Sequence, residues 1–182
     1  MNNARHPVAA LSLALLGSMA LPASPAGADE PSAVLSKEQI QQALAPAPTT
    51  RSFTPRGLGR RQASASEQSV NLNIPFELNS SELKPQASEQ LSQLEMALSS
   101  PALEKDRFVV AGHTDAKGSA QYNKQLSLRR AEVVKKFLVA KGLDPSRLDT
   151  VGYGSERLLA PEHPDDASNR RVEIRDLGPA TP

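Results

Sequence analysis

Asp115 stands where a charged side chain could do chemistry. It comes three residues after Gly112, which ends the apolar run that begins at Phe108. Binding sites of α/β folds gather outside the carboxyl ends of strands, so Asp115 lies where a ligand would bind. The same residue precedes a helical pattern, and helix N-termini favour negative charge. A ligand-binding role and a structural capping role are therefore equally open.

Arg130 carries the complementary charge. On a helix it shares a face with the apolar residues Leu126, Val133, Val134, Phe137 and Leu138. A half-buried guanidinium is costly without a carboxylate partner. Either Asp115 supplies that partner in a structural salt bridge, or the two residues are separated and receive a ligand that bears both charges.

The elements that position these residues follow from hydrophobic periodicity. Alternating apolar residues in 69–79 predict a half-buried strand, and apolar runs predict further strands at 106–112, 146–154 and 169–177. Helical spacing of Leu91, Leu94 and Leu98 predicts one helix after Pro85, and a second is predicted over 123–142, ending at a glycine. The order β-α-β-α-β-β predicts an α/β sandwich with two main helices packed on one mixed four-stranded sheet.

Bulk composition narrows the function classes. The chain of 182 residues has a net charge of +1, 3% aromatic residues and no tryptophan. Neither general nucleic-acid binding nor stacking on bases or sugars is therefore expected. The absence of cysteine excludes disulfides, thiol catalysis, thiolate metal sites and an N-terminal lipid anchor of the type attached to cysteine.

The N-terminus has the three-part pattern of a secretory signal peptide. Basic residues precede an apolar run over 8–21, and Ala26-Gly27-Ala28 fits a cleavage site before Asp29. We expect residues 1–28 to be removed, which leaves a mature chain without a transmembrane segment. The apolar run is short for a span of roughly 20 residues, but an uncleaved inner-membrane anchor is the alternative.

Two segments lie between the predicted signal peptide and the predicted α/β sandwich. Residues 29–45 predict a short helix, because Ser36 and Gln39 form a capping-box pattern, and we expect it to stand alone or to dock weakly. Residues 46–68 are rich in Pro, Ser and Ala and carry four arginines, which predicts a basic linker. It is either a solvated arm or an element attracted to an acidic surface.

Four stretches together resemble the OmpA-like domain family. They are NIPFELNSSELKP, VVAGHTDAKGSAQYNKQLSLRRAEVVKKFL, VGYGSERLLA and NRRVEI. GHTD, a glycine, YN, LSxRRA and NRR occur in the family's order between Val70 and Leu177. The resemblance implies a peptidoglycan-binding domain over 69–178, with a short tail at 179–182, and its fold is the β-α-β-α-β-β sandwich predicted above.

The resemblance also implies a ligand, the diaminopimelate residue of the peptidoglycan stem peptide. By the family motifs, Asp115 binds its ammonium and Arg130 its carboxylate. Other residues implied at the same pocket are Thr114, Asn123, Leu126 and Glu77. Relatives often carry aspartate where Glu77 stands, one methylene shorter. A lysine stem lacks the second carboxylate and would leave Arg130 unpaired.

Supporting roles are implied for further motif residues, namely His113, Gly118, Asn169, Arg170 and Arg171. His113 is expected to hydrogen-bond within the loop at the strand end. We expect one of the two arginines to brace the loops of the site by hydrogen bonding, rather than to bind the ligand directly.

An enzyme is the main rival class, since His113, Asp115 and Ser127 are near one another in sequence. No G-x-S-x-G elbow is present, however, and nothing places a nucleophile beside His113. We therefore expect a non-catalytic protein without metal or cofactor, in the periplasm and associated with the cell wall and outer membrane. The alternatives are a protein-interaction module that uses the N-terminal arm, and a stator-like protein anchored in the inner membrane.

Overall fold

A computed structural model describes residues 34–45 and 68–179. The predicted signal peptide, the predicted linker as far as residue 67 and the tail after residue 179 lie outside the described residues. None of the helices within those two ranges combines the length and the apolarity needed to cross a lipid bilayer.

The described residues form three α-helices and four strands. In chain order these are α1 (Lys37–Leu44), β1 (Ser69–Leu72), α2 (Ala87–Leu98), β2 (Asp106–His113), α3 (Ala120–Ala140), β3 (Leu148–Gly154) and β4 (Val172–Pro179). From β1 onward the order is the predicted β-α-β-α-β-β, so the α/β sandwich is confirmed. Short 3₁₀ turns at Pro145–Arg147 and Ala167–Asn169 precede β3 and β4.

The sheet is mixed, with strand order β1-β4-β2-β3. Strand β2 pairs with β3 in parallel and with β4 in antiparallel fashion, so that Val110 lies between Thr150 and Ile174. Strand β2 lies inside the sheet, and its carboxyl end leads directly to Asp115. The predicted site therefore lies at the carboxyl end of an interior strand rather than beside an edge strand.

Strand β1 is shorter than the sequence predicts. Its ladder with β4 ends at Leu72, although the alternation of buried side chains continues to Ile74, which is 3% exposed. Pro75 cannot donate a ladder hydrogen bond, and its carbonyl instead accepts the amide N–H of Lys84. The chain therefore leaves the sheet here, and residues 75–79 lie at the same end of the sheet as Asp115.

Helix α3 packs on the sheet with its backbone in close approach. A Cβ atom on Gly112 would lie 2.1 Å from the carbonyl oxygen of Ser127, so only glycine fits in β2 at this point. This contact fixes α3 against the end of β2, and Arg130 follows Ser127 by less than one turn of the helix.

Helix α1 is part of the fold rather than weakly docked. Its predicted capping box is present, with Ser36 and Gln39 bonded reciprocally, and Ile40 and Leu44 are fully buried in the core. The side chain of Gln90 in α2 accepts the amide N–H of Leu35 at 2.8 Å. The expectation of weak docking underestimated these contacts, which depend on the face that α2 presents.

Candidate binding site

A cavity of about 430 Å³ lies at the carboxyl end of β2. We call it the head-group cavity. It is lined by Phe76, Glu77, Leu78, Asn79, Lys84, Thr114, Asp115, Lys117, Tyr122, Asn123, Leu126, Arg130 and Arg170. The fold thus brings together all six residues that the sequence analysis assigned to ligand contact, from three separate segments of the chain.

Asp115 is held by two donors. One carboxylate oxygen, Oδ2, pairs with Nη1 of Arg170 at 2.9 Å, and the other accepts the amide N–H of Lys117 at 3.3 Å. Its side chain is only 13% exposed. The salt-bridge partner of Asp115 is therefore Arg170, and the alternative of a structural salt bridge between Asp115 and Arg130 is wrong.

Arg130 is buried, 8% exposed, and is fixed without a carboxylate. Its Nε donates to the carbonyl of Ser80 at 2.9 Å, and its guanidinium lies 4.8 Å from the ring centre of Phe76. Within residues 34–45 and 68–179, Nε is the one guanidinium nitrogen of Arg130 that hydrogen-bonds. The two terminal nitrogens are the forked end that suits a carboxylate.

The electrostatics around Arg130 favour an incoming anion. Burial lowers the pKa of Arg130, and the positive charge of Arg170 lowers it further, while Tyr122 and Asp115 raise it. Two carboxylates line the cavity, those of Glu77 and Asp115. Four basic side chains also line it, namely Lys84, Lys117, Arg130 and Arg170. This excess of basic side chains favours an anionic group beside Arg130.

The loop between β2 and α3 has a fixed shape. The side-chain amide of Asn123 donates to the carbonyls of Asp115 and Lys117, which holds the loop against α3. Gly118 has a φ of +91°, a conformation that glycine adopts without strain, and Ser119 then caps α3 through the N–H of Tyr122. Asn123 is therefore placed to shape the loop that carries Asp115.

His113 bonds across the sheet rather than within its loop, which corrects the expectation. The ring is 1% exposed, and Nε2 lies 3.1 Å from Oε2 of Glu173 in β4. Chiefly through this hydrogen bond, His113 lowers the pKa of Glu173. The hydroxyl of Ser127 donates to Lys124 and accepts from Gly154, so it serves the packing of α3 and forms no nucleophile pair with His113.

The loop before β4 is braced by two residues of the NRR motif. The side chain of Asn169, fully buried, accepts from Ala160 and donates to His163. Arg171 donates through Nε to Asn71 at 2.8 Å and through Nη2 to the carbonyl of Arg157. Arg171 makes the kind of brace expected of one arginine, whereas Arg170 reaches into the cavity and contacts Asp115.

Sequence reasoning missed several residues that line the cavity, including Phe76, Lys84, Lys117 and Tyr122. Tyr122 precedes Asn123 in the YN pair, so the motif itself held a signal for it. The alternating sequence pattern places Phe76 in a strand. In the structure the strand ends before Phe76, which allows its ring to contact Arg130.

Comparison of the sequence with known proteins shows similarity to one family. Residues 75–171, more than half of the chain, match the sequence profile of the OmpA family. The chain is 41% identical over 102 residues to the peptidoglycan-associated lipoprotein of Pseudomonas aeruginosa, a match that covers 55% of this chain and 59% of that protein. The chain therefore spans less than two thirds of that relative's length.

Solved structures share the fold. The OmpA-like domain of FopA1 from Francisella tularensis is similar with a TM-score of 0.52 at 20% identity, over 62% of this chain and 73% of that one. A cell wall anchor of the T6SS from Pseudomonas aeruginosa gives a TM-score of 0.50 at 26% identity, over 62% and 81% of the two chains.

Proposed function

The chain belongs to the OmpA family, and from this premise we propose that its domain binds peptidoglycan through the diaminopimelate residue of the stem peptide. In this proposal the protein is a non-catalytic tether in the cell envelope. The P. aeruginosa relative is named for its association with peptidoglycan and one similar structure is a cell wall anchor, which supports a wall-binding role.

One observation carries the proposal: the cavity holds a carboxylate and a forked guanidinium that are not paired with each other. Asp115 bonds to Arg170, whereas Arg130 is held by Ser80 and Phe76. The free end of diaminopimelate bears an ammonium and a carboxylate on one carbon. Such a head group would place its ammonium at Asp115 and its carboxylate on Arg130.

The same arrangement favours diaminopimelate over lysine. A lysine side chain offers an ammonium but no carboxylate, so it would leave the buried guanidinium of Arg130 without an anion. A site built to hydrogen-bond a polar group discriminates strongly against an analogue that lacks this group.

The observed packing of α1 weighs against the first alternative, a protein-interaction module based on the N-terminal arm. The two large apolar side chains of that helix, Ile40 and Leu44, are fully buried in the domain core. Helix α1 therefore has no free apolar face to offer a partner.

The test is co-sedimentation of the chain from Asp29 onward with purified diaminopimelate-type peptidoglycan, alongside lysine-type peptidoglycan. We expect binding to the first and little to the second. Asp115→Asn and Arg130→Gln should each weaken binding by about tenfold or more, because hydrogen bonds to charged groups contribute about 1.5–3 kcal/mol.

An exposed ion pair far from the cavity supplies matched controls. Arg107 and Asp149 lie 2.8 Å apart with 44% and 56% of their side chains exposed, so Arg107→Gln and Asp149→Asn make the same chemical changes outside the site. Both controls should bind as the parent chain does. Failure of the parent chain to bind, or equal binding by folded Asp115→Asn and Arg130→Gln variants, would overturn the proposal.

A further inference from the structure

A second, smaller cavity of about 180 Å³ adjoins the head-group cavity. It shares Phe76, Arg130 and Arg170 with the larger one, so these three side chains border both cavities. Its remaining lining comes from residues 73–75, His113, Ala167 and Arg171. We call it the small cavity. Its volume is about that of six water molecules, which suits a carboxylate and the atoms next to it.

Two nitrogen atoms of its lining residues are buried without a partner among the described residues. They are Nδ1 of His113 and Nη1 of Arg171. Buried polar atoms are nearly always hydrogen-bonded, and an exception calls for a missing partner. Because Nε2 of His113 faces the carboxylate of Glu173, a proton on Nε2 leaves Nδ1 as an acceptor. Nη1 of Arg171 is a donor.

The charges around the small cavity are unbalanced. Three arginines line it, Arg130, Arg170 and Arg171, and no carboxylate is among its lining residues. Two carboxylates lie close to these side chains. Asp115 bonds to Arg170. Glu173 bonds to His113 and also raises the pKa of Arg171 through its charge, although less than burial lowers it. Burial lowers the pKa of Arg171, as it does for Arg130. An anion entering the cavity would relieve this cost.

We propose that the small cavity is a second subsite, in which Arg171 binds another carboxylate of the same stem peptide whose diaminopimelate head group lies in the larger cavity. This inference rests on the proposed function. The ligand unit that fits is an amino-acid residue with an N–H and a carboxylate on one carbon, since the N–H meets the acceptor Nδ1 of His113. Two residues of a stem peptide have this chemistry, the C-terminal D-alanine and the γ-linked D-glutamate.

The test uses calorimetric titration of the chain from Asp29 onward with three soluble peptides. The parent is the tetrapeptide L-Ala-γ-D-Glu-diaminopimelate-D-Ala, and the other two carry an amide in place of the C-terminal carboxylate or of the D-glutamate α-carboxylate. We expect one of the two amides to bind about tenfold more weakly than the parent, which identifies the carboxylate concerned. If both amides bind within twofold of the parent, the subsite does not exist.

A variant assigns the effect to the cavity. Arg171→Gln should weaken binding of the parent peptide about tenfold and leave the affinity for the discriminated amide unchanged, whereas Arg107→Gln should change neither. Equal weakening of all three peptides by Arg171→Gln would contradict the inference. If Arg171→Gln fails to fold, the amide series on the unaltered chain still decides.

The two proposals fail in different ways. If the parent peptide does not bind the unaltered chain, the proposed function falls and the subsite with it. If the parent peptide binds and Asp115→Asn weakens it, but the two amides match the parent, only the subsite falls.

Discussion

At the residue scale, Arg130 is held without the carboxylate that a buried guanidinium usually has. The carbonyl of Ser80 and the ring of Phe76 fix its orientation, yet neither neutralises its charge. Such a side chain is costly in the unliganded protein, and the cost is offset when an anion binds. The residues that fix Arg130 hold its guanidinium in one orientation, so in the proposed complex little reorganisation is expected on binding.

Glu173 gives a prediction about pH at the same scale. The pKa of Glu173 is lowered from the ordinary value of 4.5, mainly by His113 and to a lesser extent by Ser69 and Arg175. Burial opposes this shift in the pKa. Arg171 also interacts electrostatically with Glu173. A carboxylate with a lowered pKa stabilises the folded state above its unfolded-state pKa, and this contribution is lost as pH falls through the folded-state pKa.

We therefore expect Glu173→Gln to lose part of the acid dependence of stability. The free energy of unfolding, measured in urea at pH 7 and at pH 3.5, should fall less between these two values in the variant than in the parent chain. Glu89→Gln, at an exposed site in the first turn of α2, is the control. An unchanged acid dependence in Glu173→Gln would show that the contact with His113 contributes nothing to stability.

At the element scale, the packing of short α1 is the feature that departs most from expectation. A helix of eight residues is marginal by itself in water. It is stable here because two apolar side chains enter the core and because Gln90 and Gln93 of α2 bond the backbone at its start.

This packing predicts a measurable loss of stability in Ile40→Ala. Truncating a fully buried isoleucine should lower the free energy of unfolding by about 2–4 kcal/mol, from lost burial and the cavity left behind. Denaturant unfolding of the chain from Asp29 onward measures it, with Gln42→Ala on the exposed face of α1 as control. A loss below about 0.5 kcal/mol would mean that α1 does not dock.

At the scale of the whole molecule, wall binding is expected to reside in the domain and not in the basic linker predicted at 46–68. Exposed charges are screened beyond about 8 Å at physiological ionic strength, whereas Asp115 and Arg130 are only 13% and 8% exposed. Replacement of Arg51, Arg56, Arg60 and Arg61 by Gln should therefore leave co-sedimentation with peptidoglycan within twofold at physiological salt.

Arg130→Gln in the same assay provides the contrast, since it should remove most binding at any salt concentration. If instead the four linker substitutions abolish co-sedimentation while Arg130→Gln retains it, the arm binds the wall and the cavity has another role.

Hydrophobic periodicity and sequence motifs were sufficient to predict the order of strands and helices and six residues of the head-group cavity, but not the whole of its lining. Periodicity reports which face of an element is buried, and this was enough for a β-α-β-α-β-β sandwich. The resemblance of the GHTD, YN and LSxRRA motifs added Asp115, Asn123 and Arg130, which lie in different segments and are all found at one cavity. Its ligand chemistry stays a prediction.

The pairing of the charges could not be predicted before the contacts between distant segments were known. Arg170 and Arg130 both carry a guanidinium within reach of the cavity, and their spacing along the chain does not indicate which of them bonds to Asp115. The choice depends on the path of residues 73–80, which leave the sheet before Pro75 and bring Phe76 and Ser80 to Arg130. It depends equally on the loop before β4, where Asn169 braces the chain so that Arg170 reaches Asp115. Both are contacts between distant segments, which local patterns do not encode.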